Sequence, residues 1–159
     1  MTGSVAAFLH LDDSIEIRHE SITSEELVYV IEAASSSARC PSCNSLSHRA
    51  HSRYIRTIKD LPIVDRSVSF HIRLHKWFCD EPSCPKKIFT ERLSWADPYK
   101  RKTVRLENTL TELALSTNCL AAEKACKALH IQVSHDTLLR LVKRIEVTGK
   151  TPSPFCRNR

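Results

Sequence analysis

The chain has 159 residues, with 24 Lys plus Arg against 18 Asp plus Glu, seven Cys, and only two Gly, at positions 3 and 149. A glycine-free interior excludes a Walker loop, a dinucleotide-binding fingerprint and a nucleophile elbow, each of which needs glycine where backbone crowds a ligand or takes positive φ. The longest apolar runs, such as residues 27–31, fall far short of the roughly 20 residues of a spanning helix, and no Lys or Arg precedes the first apolar stretch as a secretory signal requires.

Charge is unevenly spread. Residues 1–38 hold one basic residue, Arg18, against seven acids, a net of −6, whereas residues 39–159 carry a net of +12. Such a basic surface attracts polyanions, because each phosphate neutralised by Lys or Arg releases condensed counterions.

In chain order, residues 15–33 read as a β-hairpin: Ile15 and Ile17 alternate with Glu16 and Arg18, and Leu27, Tyr29 and Ile31 alternate in the second run. Ser35, Ser36 and Ser37 form a linker. A weak strand is expected over residues 53–59, ended by Asp60-Leu61-Pro62. A stronger one follows, in which Val68, Phe70, Ile72 and Leu74 alternate with polar residues. Residues 88–90 supply a third.

From Arg105 the period becomes helical. Leu106, Leu110, Leu113 and Ala114 share one helix face, and Ala121, Ala122, Ala125 and Leu129 suggest a second helix. Ser134 is the expected N-cap of a third, with Asp136 in its first turn and Leu138, Leu141, Val142 and Ile145 on its apolar face. Residues 148–159 show no periodicity and are expected to be a disordered tail.

Cys40-Pro-Ser-Cys43 and Cys79-Asp-Glu-Pro-Ser-Cys84 form two close pairs. The cysteines are read in a reducing cytoplasm, where paired thiols suggest metal before disulfide. Two tight turns, each presenting two thiolates, complete a tetrahedron around Zn²⁺, so Cys40, Cys43, Cys79 and Cys84 are the expected ligands of one structural, closed zinc site. A redox dithiol would open a helix, and no helical pattern follows Cys43. His48, His51, His71 and His75 are read as solvent or phosphate contacts rather than ligands, Cys119 and Cys126 as small apolar fillers, and Trp77 and Phe78 as cover for the zinc site.

Residues 121–145 have the layout of a helix-turn-helix reader, with apolar faces on both helices and basic residues on the second. His135, Asp136 and Arg140 are expected at base edges and Lys124, Lys143 and Arg144 at phosphates. Lys100, Arg101, Lys102 and Arg105 are the expected backbone clamp, with Arg73 on the basic strand counted beside them. A plain three-helix bundle with a solvated charged face shares the pattern.

This order of parts resembles the N-terminal region of ISL-three family insertion-sequence transposases. The resemblance is carried by Cys40-Pro-Ser-Cys43, by residues 51–62, by Trp77-Phe-Cys-Asp-Glu-Pro-Ser-Cys-Pro85 with Phe89-Thr-Glu-Arg92, and by residues 133–142. It covers roughly residues 10–147. It implies a zinc-binding domain and a helix-turn-helix that recognise the element's terminal inverted repeats. His130 stands in the turn where that family commonly has glycine. The family continues into a nuclease domain, whereas the last acids here, Glu107, Glu112, Glu123, Asp136 and Glu146, lie on expected helical faces. The expectation is a truncated transposase that binds DNA without cutting it.

The expected fold is therefore α+β: an acidic hairpin region (1–38), a zinc-ribbon-like β domain (39–98), a three-helix helix-turn-helix domain (99–147) and the tail. The expected partners are double-stranded DNA and either a second copy or a full-length transposase, with no membrane, no small-molecule substrate and a bacterial cytoplasmic setting. A free-standing zinc-ribbon transcription regulator and a zinc-stabilised protein-interaction module are the alternatives.

Overall fold

The structure is a computed structural model that describes residues 11, 12 and 14–145; the expected tail, with Cys156, lies outside the described residues, as does Glu146. The strands are β1 (Ile15–Ile22), β2 (Glu26–Ala33), β3 (Ala38–Arg39), β4 (Leu46–Ser47), β5 (Ala50–Ile63), β6 (Arg66–Phe78) and β7 (Ile88–Thr90). The helices are α1 (Val104–Ser116), α2 (Cys119–Ala128) and α3 (His135–Lys143). The α+β expectation holds.

The main sheet runs β1-β2-β6-β5, with β7 also on β6. The hairpin β1–β2 does not stand apart: β2 pairs in parallel with β6, from Glu26 opposite Ser67 to Glu32 opposite Arg73. The sheet therefore crosses the boundary expected at residue 38. Opposite charges accompany that junction. Glu32 accepts from Arg18 Nε at 3.1 Å and lies 3.6 Å from Arg73. Partial desolvation raises the Glu32 carboxyl, but the Arg18 hydrogen bond and the charges of Arg73, Arg18 and Arg53 outweigh it and hold it below its ordinary value.

Alternation on β6 works as its sequence implies. Val68, Phe70, Ile72 and Leu74 are buried with Ile31 on β2 and Ile58 on β5, each such side chain contributing about 1.5–3 kcal/mol by leaving water. Residues 93–96 cover this face, Trp95 meeting Phe70 edge-on at 5.5 Å.

Strand β5 is longer than its sequence suggests, running past Asp60-Leu61-Pro62 to Ile63. Pro62 is tolerated because β5 is an edge strand and its register slips between Asp60 and Ile63, so no ladder bond is lost to the missing N–H. Val64 and Asp65, at φ 48° and 58°, then make a two-residue turn into β6 without glycine.

Each helix has a side-chain N-cap: Thr103 accepts from Leu106 N–H, Asn118 from Ala121 N–H and Ser134 from Thr137 N–H. Leu106, Leu110, Ala114, Ala122, Cys126, Leu138 and Leu141 close one core with Ile131, in keeping with Cys126 as a filler. Leu129, expected on the apolar face of α2, is instead 52% exposed, because α2 ends at Ala128 and the chain turns away. His130 takes φ 59°, the conformation glycine would give. The Ile131 N–H then reaches the Cys126 carbonyl at 2.8 Å and the His130 N–H that of Lys127, closing the helix end.

The helices join the sheet through β5. Lys59 donates its N–H to the Arg101 carbonyl and accepts from Thr103 N–H. Beside it, Asp60 accepts from Thr103 Oγ1 at 2.7 Å and from the Arg105 guanidinium.

Candidate metal centre and nucleic-acid interface

The first cysteine pair sits on a knuckle in which Asn44 N–H donates to the Cys40 carbonyl and Cys40 N–H to the Ser45 carbonyl, both at 2.9 Å. Asn44 closes that turn at φ 61°, a conformation asparagine tolerates better than most residues. The second pair is held by Cys79 N–H on the Lys87 carbonyl and by Lys86 N–H directed at Cys84 Sγ, 3.4 Å away. The main sheet carries Cys79 at the end of β6 to within reach of the first knuckle.

All four sulfurs lie within 4.8 Å of one another. Cys40 and Cys84 are 3.8 Å apart and Cys43 and Cys79 3.5 Å. A tetrahedron of Zn–S bonds near 2.3 Å has edges of roughly 3.8 Å, so the donors are spaced for one zinc ion. The Ser45 hydroxyl and amide pull the Cys43 thiol down to about 6 against a desolvation penalty. At Cys84 the Lys86 amide lowers the thiol, but burial and the three neighbouring sulfurs outweigh it and push it up to about 12. Packed sulfurs resist becoming thiolates together until a cation shares them. The site is closed, suited to holding structure.

Trp77 and Phe89 pack with Cys40, Cys79 and Cys84, so Trp77 covers the centre as expected. Phe78 does not: its ring lies under the Arg49 guanidinium at 4.1 Å and meets His51 edge-on. His75 is no phosphate contact either. It is buried, accepts at Nε2 from Arg53 at 2.9 Å, and turns Nδ1 toward Glu91, 3.3 Å away.

The residues expected at DNA divide into two groups. On α3, Arg140 and Lys143 are exposed away from buried Leu138 and Leu141, and Arg144 at the C-cap is exposed as well. Lys124 on α2 and Arg101 are exposed as well. His135 sits between two carboxylates, 3.3 Å from Glu123 and 3.4 Å from Asp136, and Asp136 itself is open to solvent. Lys102 is half-buried; burial pushes its ammonium down, Glu107 opposes this, and Lys59, Lys100 and Arg144 add to it.

The second group is already engaged. Arg105 is committed to Asp60 and Lys100 to both oxygens of Glu107, at 2.9 and 2.8 Å. Each is paired across the seam between sheet and helices, whereas Arg101 of the same expected clamp is exposed. Arg73 is exposed on the sheet beside Glu32. Sequence reading missed Lys59, Lys76, Lys86, Arg92 and Tyr99, which line one cleft with Arg101 and Lys102. The visible signal was Asp97-Pro98-Tyr99-Lys100, a turn sequence that sets an aromatic among cations.

Four cysteines on two knuckles, brought together by β-strands, define a zinc ribbon. Residues 36–84 match the family described as the zinc-finger of transposase IS204/IS1001/IS1096/IS1165. Over 85 residues, 54% of this chain, the sequence is 29% identical to a transposase for insertion sequence element IS1001 from Bordetella parapertussis. The aligned stretch is 20% of that protein, so the chain spans about a fifth of the relative it matches. No solved structure matches. Residues 36–84 carry the N-terminal zinc ribbon of ISL-three family transposases. Among the described residues, no helix is long and apolar enough to cross a membrane.

Proposed function

We propose that this chain is the DNA-recognition part of a transposase, in which one structural zinc ion holds the ribbon and α2 and α3 act as a helix-turn-helix on the element's terminal inverted repeats. The observation that carries the reading is α3: two leucines bury one side while Arg140, Lys143 and, at the C-cap, Arg144 are exposed. In this reading Arg140 reaches base edges, and Lys143, Arg144, Lys124 and Arg101 meet phosphates. Asp136 caps the helix dipole and holds His135, which limits His135 to a positioning role.

The same reading assigns no strand cutting to these residues. Two-metal nucleases converge carboxylates on a metal pair, whereas here Glu107 is bound to Lys100, Glu123 faces His135, and Glu112 lies further along α1. The bacterial cytoplasm, where the DNA lies, is the setting this function requires. Partners beyond DNA follow from it too: a second copy for the paired transposon ends, or a full-length transposase. Comparing the inverted-repeat duplex with a shuffled duplex in a binding titration tests the reading.

A further inference from the structure

Between β5, β7 and the connector at residues 91–102 lies a cleft of about 990 Å³. Eight Lys or Arg line it against one acid, Glu91, and that carboxylate is turned to the His75 N–H and the Ser35 hydroxyl. Lys100 and Arg56 are used internally, the first on Glu107 and the second on the Asp97 and Lys100 carbonyls. Among the described residues, no carboxylate lies within ion-pair distance of Lys59, Lys76, Lys86, Arg92, Arg101 or Lys102.

Aromatic and aliphatic surface is interleaved with this charge. Lys76 Nζ stands 5.4 Å over the Tyr54 ring, and Ile88 is 41% exposed at the lining. Tyr99 is 94% exposed at φ 63°. It occupies the third position of a turn closed by Lys100 N–H on the Asp97 carbonyl, and Arg56 pins both of those carbonyls. A tyrosine gains no burial there and holds a backbone conformation that favours glycine.

Duplex DNA turns phosphates and sugars outward and keeps its base faces stacked inside. An unpaired strand offers phosphates and flat base faces together, and proteins meet it with a basic groove plus aromatic platforms. We propose that this cleft binds one unpaired DNA strand, with phosphates on Lys76, Lys86, Arg92 and Lys102 and a base stacked on Tyr99. Gln132, from the turn between α2 and α3, also lines the cleft, which makes it continuous with the proposed duplex reader. The inference takes its ligand class from the DNA-recognition reading and is otherwise independent of α3.

Anisotropy titrations of the zinc-loaded chain with labelled oligo-dT and with a duplex of the same length test it. Oligo-dT should bind, and Tyr99→Gly, which keeps the turn, should weaken it about tenfold or more. Tyr99→Trp should retain binding and show fluorescence quenching as the base stacks. Replacing Lys76 and Arg92 by Ala should reduce the magnitude of the log–log salt slope by about 1.4. Absence of oligo-dT binding, or equal binding by wild type and Tyr99→Gly, overturns the proposal, as does equal loss of duplex and oligo-dT binding in Tyr99→Gly. Arg140→Ala should weaken inverted-repeat duplex binding and leave oligo-dT unchanged. If Tyr99-dependent oligo-dT binding persists without any duplex preference, the cleft stands and the recognition reading falls; the reverse pattern removes the cleft alone.

Discussion

The Arg105 guanidinium lies bidentate on the Asp60 carboxylate, with Nε 2.8 Å from Oδ1, and ties the first turn of α1 to the end of β5. Asp60 is nearly sealed from solvent and also accepts from the Thr103 hydroxyl and the Leu61 N–H, so one carboxylate organises the seam between sheet and helices. Asp60→Ala should cost about 2–4 kcal/mol, the lower end reflecting the partial exposure of Arg105. A double-mutant cycle with Arg105→Ala should show about 1–3 kcal/mol of coupling in urea unfolding. Additive losses would mean the pair is incidental. Arg105→Ala should leave the salt dependence of DNA binding unchanged, since its charge is already neutralised.

Zinc removal tests the ribbon. Purified protein should hold about one zinc per chain, and chelation should unfold the β region that Cys79 terminates. The Cys40→Ser, Cys84→Ser double variant should lose both metal and fold by circular dichroism and metal analysis. Full zinc with full folding in that variant would be incompatible with the centre described.

Acid should release the metal in a defined direction. In the metal-free cluster Cys43, pulled down to about 6 by Ser45, favours the thiolate, whereas Cys84, pushed up to about 12 by burial and the neighbouring sulfurs, favours its proton. Zinc must displace that proton, so apparent affinity rises with pH, by about tenfold or more per unit between about pH 6.5 and 8.5. Competition titrations with a chromogenic chelator measure the slope, and a flat profile contradicts the assignment.

How far the sequence foreshadows this structure differs by interaction range. Cysteine spacing, the alternation of residues 68–74 and the Ser134 cap are local signals, and each appears where it was read. The partner of Arg105 lies 45 residues away, and nothing local distinguishes a lysine or arginine aimed at phosphate from one aimed at a buried carboxylate. The parallel pairing of β2 with β6 is equally invisible, because alternation reports which face is buried but not which strand lies alongside. His75 looked like surface because its strand neighbours His71 and Arg73 are exposed; only β7, arriving with Glu91, buries it.

Turns without glycine carry strain that substitution can relieve. Val64 is 78% exposed at φ 48°, an unfavourable conformation for a β-branched residue. Val64→Asn should stabilise the β5–β6 turn by about 1 kcal/mol, raising the melting temperature by roughly 3 °C. A fall in melting temperature would show that the valine makes an unseen contribution.

Sequence-specific DNA recognition through α3 separates a reader of transposon ends from a bundle with a solvated charged face. The decisive measurement is the affinity of the zinc-loaded chain for inverted-repeat duplexes flanking its own gene, against a shuffled duplex at fixed salt, for wild type and Arg140→Ala. The chain should prefer the repeat roughly thousandfold, and Arg140→Ala should reduce that preference selectively, at a cost of about 1–3 kcal/mol on the repeat and little on the shuffled duplex. Equal affinity for the two duplexes, or an Arg140→Ala loss identical on both, would contradict recognition through α3.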